Sequence, residues 1–363
     1  MIFPILFLLI ACAVCFLFRL KADGSFPGEL DYTVTKYMKT FLMLGVIIHH
    51  LAVFALDTDP SSACFSFNKL LKLSGSYICA AFFFFSGYGL LYSISNKKDY
   101  IKRMRIRILS ILIPYIIANI VYACIHLNSV CSSFEGESFI ELIQCFLSTI
   151  WQLESSGSTL VLFGWFVDQM ILLYIIFWIT NKHLTILKAI IVQIILCGLI
   201  IVMYKQAGWG GWRYNSLMAF MAGQIYCYAI LSKRFSRCFR LCAFILAICA
   251  CAYTLIKLQY VPEPYILGSV LACPIVAIPF IICLTAFKSK ISKIADFVSS
   301  FSLEAYLYQG VLFTLCTSLR MHTLAWSLCI LLGSLLLGYV MHLVGVKALQ
   351  LLLSKWPIPS RVQ

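Results

Sequence analysis

Lys36-Tyr37-Met38-Lys39-Thr40-Phe41-Leu42-Met43-Leu44-Gly45-Val46-Ile47-Ile48-His49-His50 is an apolar run that starts with lysines and ends in paired histidines. Read as a helix, it turns by about 100° per residue. Lys39 and His50 then lie within about 20° of one face and about 16 Å apart along the axis. Lys36 falls close to the same stripe. A cation and an imidazole thus line one side of a greasy helix, and a histidine at lipid depth is costly enough to imply a role.

Composition places the rest of the chain around that helix. Of 363 residues, 62% are hydrophobic and 12% are charged. So little polar surface directs most of the chain into a bilayer. The formal net charge of +14 needs no nucleic acid, because cytoplasmic loops of membrane proteins collect Lys and Arg. The 17 cysteines are scattered through apolar runs, where Cys acts as a small hydrophobe. Cys12 and Cys15 belong to one such run. Cys64 and Cys131 fall in loops assigned to the outer side, where a disulfide is conceivable and unsupported.

Runs long enough to span hydrocarbon fall near 2–18, 37–56, 77–95, 106–126, 163–180, 186–204, 214–231, 239–258, 264–286, 301–319 and 325–346. A shorter run, 139–153, carries Glu141 and Gln144 and reads as interfacial or re-entrant. The expectation is an all-α integral membrane protein: a polytopic bundle of about 11 transmembrane helices in a single membrane domain, 1–363. Alternate loops place 21 of the 28 basic residues on one side. The positive-inside rule then sets the N-terminus outside and the C-terminus in the cytoplasm. Trp151, Trp165, Trp209, Trp212 and Trp326 fall near expected outer boundaries, as an aromatic belt would.

Several residues stand out as chemistry or as packing. A neutral imidazole can take a proton from a hydroxyl near physiological pH, which makes His50 a candidate base. His49 reads first as a packed core residue and second as support. Ser86-Gly87-Tyr88-Gly89, after four phenylalanines, reads as a helix-packing motif or as the wall of a ligand path. The basic cluster from Lys97 to Arg107 is either an orientation signal or, through Arg103, Arg105 and Arg107, a grip on cofactor phosphates. Asp168, next to Trp165, is intramembrane and needs a partner, either a substrate hydroxyl or a histidine. Trp209 and Trp212 sit in a Gly-Trp loop that suits either a sugar ring or an ordinary interface turn. Glu304 reads as interfacial and solvated, and Gln309 as deeper. No metal signature, P-loop or dinucleotide fingerprint occurs.

Taken in order, these landmarks resemble the membrane acyltransferase family 3. Lys39, ten residues and His50 resemble its basic-x10-His motif. Phe83-Phe84-Phe85-Ser86-Gly87-Tyr88 is similar to its FF-x-SGY segment. The basic run to Pro114-Tyr115, Trp165-Phe166-Val167 with Tyr174, and Ala305-Tyr306-Leu307-Tyr308 are similar to its later segments. The resemblance covers roughly 30–345. It implies a ten-helix core, here 37–346, with 2–18 as an added helix. It also implies transfer of an acyl group other than aminoacyl, acetyl above all, from cytosolic acyl-CoA to a hydroxyl of a cell-surface glycan or lipid-linked carbohydrate. His50 would be the catalytic base, and Lys39, Arg103, Arg105 and Arg107 would serve the donor. Ser86, Gly87 and Tyr88 would shape the acyl path. Trp165, Trp209 and Trp212 are the candidate acceptor contacts, with His49 and Asp168 in support. Acyl-CoA is the only co-substrate expected, with no metal and no nucleic acid. Membrane lipid and a carbohydrate are the expected partners, in a multi-pass plasma or bacterial inner membrane setting. Two departures matter: Lys39 stands where Arg is common, and Gln309 where the family often has His. A transporter or flippase for a glycan intermediate or organic anion is the alternative.

Overall fold

The computed structural model describes residues 18–20, 30–58, 65–95, 100–125, 139–232, 287–289, 292–316 and 324–355. Among them the chain is built of helices: α1 (Tyr32–Thr58), α2 (Phe65–Ser95), α3 (Tyr100–Ile125), α4 (Phe139–Ser155), α5 (Trp165–His183), α6 (Ile186–Gln206), α7 (Met218–Leu231), α8 (Lys293–Ser300), α9 (Ser302–Leu315) and α10 (Leu324–Lys355). A 3-10 turn occupies Gly211–Arg213, and two short strands, β1 (Phe18–Leu20) and β2 (Phe287–Ser289), pair antiparallel. The expected spans 239–258 and 264–286 lie outside the described residues, as do Cys64, Cys131 and residues 2–17 of the first expected span; its last residue, Phe18, begins β1.

Among the described residues five helices are long and apolar enough to cross a membrane: Tyr32–Phe54, Ser74–Ser95, Lys102–Ile125, Ile186–Gln206 and Ala325–Ser354. The sequence leads to an expectation of eleven. Besides the runs outside the described residues, α7 and α9 have only 14 residues each, and α5 carries Asp168 and Lys182 near its ends.

The chain divides into two units, 1–98 with 175–300 and 99–174 with 301–363. The first unit has a helix cap at the start of α1. Asp31 Oδ1 accepts the backbone N–H of Thr33 at 2.8 Å and of Val34 at 3.0 Å. That satisfies donors a helix start otherwise leaves bare, so α1 begins at Tyr32, earlier than its apolar run suggests. Its buried stripe is Met43, Val46, Ile47, His50 and Leu51. α1 packs on α2 through a neighbouring stripe, with His49 over Gly75 and Gly45 beside Ile78.

Within the same unit α2 and α7 pack backbone to backbone. A Cβ on Gly87 would overlap the Phe220 carbonyl, and one on Gly223 would come within 2.9 Å of the Tyr88 nitrogen. Only glycine permits such an approach. A buried chain of side chains joins α5, α6 and α7: Gln193 donates to Thr180 Oγ1 at 2.8 Å, and Gln224 donates to Gln193 Oε1 at 2.6 Å. Amide groups inside an apolar bundle must find one another in this way. At the start of α1, Lys36 pairs with Asp296 at 2.5 Å, and Tyr37 accepts the Ser292 N–H at 3.0 Å. These contacts pin α8 to α1.

The second unit centres on α9. Tyr122 of α3 donates to the Leu307 carbonyl at 3.1 Å, and Tyr306 donates to the Phe163 carbonyl. Phe163 sits at φ 69°, a left-handed backbone that a bulky residue rarely adopts. Phe313 packs edge-on against it, with ring centroids 5.9 Å apart. Gly338 lets α10 close onto α9, where an added Cβ would lie 2.6 Å from the Ala305 Cα. Trp326, expected in an outer aromatic belt, is instead fully buried, 5.8 Å from the Phe313 ring. α4 turns Ile140, Ile143, Leu147 and Trp151 outward. These positions repeat at helical spacing, so α4 offers the apolar face of an interfacial helix.

Candidate active site

α1 is one continuous helix from Lys36 to His50, so the sequence spacing survives in three dimensions. Lys39 is half-buried, and His50 is 7% exposed on the buried stripe. The His49 and His50 rings lie 5.0 Å apart, tilted by 52°. The two histidines are held differently. His49 donates from Nδ1 to the Leu71 carbonyl at 2.9 Å and lies over Gly75, where an added Cβ would meet its Cε1 at 2.5 Å. Its tautomer and its position are therefore set by α2. Lys36 does not join Lys39 and His50; its ammonium is taken by Asp296. That hydrogen bond holds the Asp296 carboxyl below its ordinary value.

The Ser86-Gly87-Tyr88 segment is a packing element. Gly87 is the point where α2 touches the Phe220 backbone. Tyr88 stacks on Tyr92 at 5.9 Å and accepts the Leu30 N–H at 3.4 Å. Ser86 and Tyr88 are buried. The motif thus packs α2 against α7, whatever else it lines.

Trp209 and Trp212 have different surroundings. The Trp209 ring stacks on Tyr204 at 4.4 Å and carries the Arg213 guanidinium at 4.5 Å. The Trp209 ring is thus already engaged by a phenol and a cation. Trp212 is 47% exposed. Arg213, expected as an outer loop charge, is 1% exposed.

The second unit carries the remaining candidates. Arg103, Arg105 and Arg107, expected in a loop, lie in the first turns of α3. Arg103 and Arg107 are one turn apart and share a face, whereas Arg105 points away and is exposed. Only the first two can grip one group together. Asp168, expected to meet a substrate hydroxyl or a histidine, has the Tyr115 hydroxyl hydrogen-bonded to its carboxylate. Trp165 meets Phe166 edge-on at 6.1 Å. Gln309 is fully buried and donates to the Tyr306 carbonyl at 3.0 Å.

Glu304 corrects the reading that makes it solvated. It is 6% exposed, and His342 Nδ1 donates to its Oε1 at 2.9 Å. A carboxylate deep in a bundle requires a partner, and pairing with an imidazole supplies one. His342 escapes notice in the sequence because a single His in a long apolar helix carries no motif. Its register is legible: His342 continues the stripe of Ser334 and Gly338 at steps of four.

Among the described residues no three His, Cys, Asp or Glu side chains gather as metal ligands. No curated protein and no solved structure matches the chain. A family model described as an acyltransferase domain matches residues 33–343, which takes in both histidines, the Ser-Gly-Tyr segment, the α3 arginines and Glu304. With apolar helices fit to cross a bilayer and most of its length matched, the chain belongs to the membrane acyltransferase 3 family.

Proposed function

We propose that this membrane acyltransferase moves an acyl group, acetyl in the first instance, from cytosolic acyl-CoA to a hydroxyl of a cell-surface glycan or lipid-linked carbohydrate. The observation that carries the reading is the α1 register: Lys39 half-buried and His50 buried on one face of an unbroken helix. His50 would take the proton of the acceptor hydroxyl. The oxygen then attacks the thioester carbonyl, the C–O bond forms, the C–S bond breaks, and the thiolate leaves to be protonated. Neutral imidazole suits this step because it titrates near the working pH. His49 would buttress His50, since its own ring is committed to Leu71. Lys39 would meet donor phosphates, and so would Arg103 and Arg107. Guanidinium does so in a fork and ammonium as a point charge. Arg105, on the other side of α3, would act as a membrane-surface charge. Trp212 is the better acceptor contact of the two loop tryptophans. Asp168, satisfied by Tyr115, would position that tyrosine.

The eleven-span arrangement, with the N-terminus outside and the C-terminus in the cytoplasm, is part of the same proposal and rests on loop charge. The test is direct. Purified protein, acetyl-CoA and an acceptor glycan should release free thiol in step with acetyl ester formation. A transporter would move its substrate across a vesicle membrane and leave the thioester intact.

A further inference from the structure

A second polar cluster lies in the second unit, apart from the α1 histidines in sequence and in element. Glu304 and Tyr308 are one turn apart on α9, and His342 reaches Glu304 from α10. Tyr308 is 1% exposed, and its hydroxyl has no hydrogen-bond partner among the described residues. A buried hydroxyl left so costs about 1–3 kcal/mol. His342 is bonded through Nδ1, which leaves Nε2 for another group. Gly345 lies beside the carboxylate. A Cβ there would meet nothing closer than Pro114 Cγ at 3.8 Å and Glu304 Oε1 at 3.9 Å. Along α3 from Pro114, Arg107 is seven residues back, about 10 Å toward the basic end.

The chemistry of this cluster is specific. A carboxylate, an imidazole nitrogen and a phenol together suit a neutral group that both donates and accepts hydrogen bonds, such as an amide or a thiol. The guanidinium groups on α3 suit phosphate. We propose that Glu304, Tyr308 and His342 form the subsite for the amide- and thiol-bearing arm of the acyl carrier, whose phosphates bind Arg103 and Arg107. This rests on the acyl-CoA reading above and adds residues to it. Tyr308 would donate to an arm carbonyl, and Glu304 would accept an arm N–H. His342, fixed by Glu304 through Nδ1, would accept a second arm N–H at Nε2.

Binding, not turnover, tests this. Full-length protein in lipid nanodiscs is titrated calorimetrically with coenzyme A, with pantetheine, which lacks phosphates, and with adenosine 3′,5′-bisphosphate, which lacks the arm. Tyr308→Phe and His342→Asn should each weaken coenzyme A and pantetheine by about fivefold, the loss of one hydrogen bond. Gly345→Leu, which sets bulk against Glu304 and leaves the charges in place, should weaken both more. The bisphosphate should bind all variants as it binds the parent, which also shows that they are folded. Unchanged coenzyme A affinity in Tyr308→Phe and His342→Asn would overturn the subsite while leaving the acyl-CoA reading intact. A parent protein that binds no coenzyme A would overturn both.

Discussion

Gly87→Ala and Gly89→Ala should have opposite effects, although the two glycines stand two residues apart in one motif. A Cβ on Gly87 would overlap the Phe220 carbonyl oxygen and lie 2.9 Å from its carbon. The obstacle is backbone, so it cannot rotate away, and α2 and α7 must separate. Overpacking of this kind costs about 1–3 kcal/mol. A rigid partner places the cost at the upper end, about 3 kcal/mol. Replacing a helical glycine by alanine returns about 1 kcal/mol of propensity. The net is about 2 kcal/mol of destabilisation, or about 30-fold in the folding equilibrium. At Gly89 no atom lies within 4 Å of the added methyl, so only the propensity gain of about 1 kcal/mol remains. Thermal unfolding of the purified proteins in one detergent, read by intrinsic fluorescence, compares them. Gly87→Ala should melt below the parent and Gly89→Ala at or above it. Equal losses at both positions, or a parent-like Gly87→Ala, would refute the argument that this motif is a backbone contact.

Gly75→Ala should push the His49 ring off its site and break the bond to Leu71, a cost of about 1 kcal/mol that offsets the propensity gain of alanine; a denaturant series should find it about 1 kcal/mol less stable than Gly89→Ala, and equal stability would show that the ring has room to move. Gln193→Leu removes the middle of the Thr180–Gln193–Gln224 chain and should destabilise by about 1 kcal/mol, in the range of interhelical hydrogen bonds in membranes. The Lys36–Asp296 pair predicts a pH signature. The folded-state carboxyl is held low by its lysine, so its contribution is present above the ordinary carboxylate range and is lost as pH falls through the depressed value. The melting difference between parent and Asp296→Asn should therefore persist at neutral pH, vanish in acid and shrink with salt. Trp212→Ala should raise the KM for the acceptor, whereas Trp209→Ala should lower thermal stability through the lost Tyr204 and Arg213 contacts.

Much of this is legible in the residues. The period of the apolar run from Lys36 to His50 predicts α1 and its face, because a helix fixes angle and rise from spacing alone. Element starts are less legible. Asp31 caps α1 and Tyr100 opens α3, so the arginines are helical and their facing is decided by register. Hydropathy does not register a cap, which acts through hydrogen bonds and not through burial. The Glu304–His342 pair is hidden for another reason. Its members are 38 positions apart, and each reads alone as an ordinary interfacial charge or a stray imidazole. Only the packing of α9 on α10, closed at Gly338, brings them together. The contacts of Trp209 are equally unreadable, since Tyr204 and Arg213 come from opposite ends of a turn.

The central claim assigns proton abstraction to His50. Thiol release from acetyl-CoA by purified parent and His50→Ala proteins, both shown to be monodisperse and to melt alike, measures it. The account predicts acceptor-dependent release by the parent and a loss of about 100-fold or more in the variant, the size of a general-base contribution. Release at the parental rate from His50→Ala would contradict it.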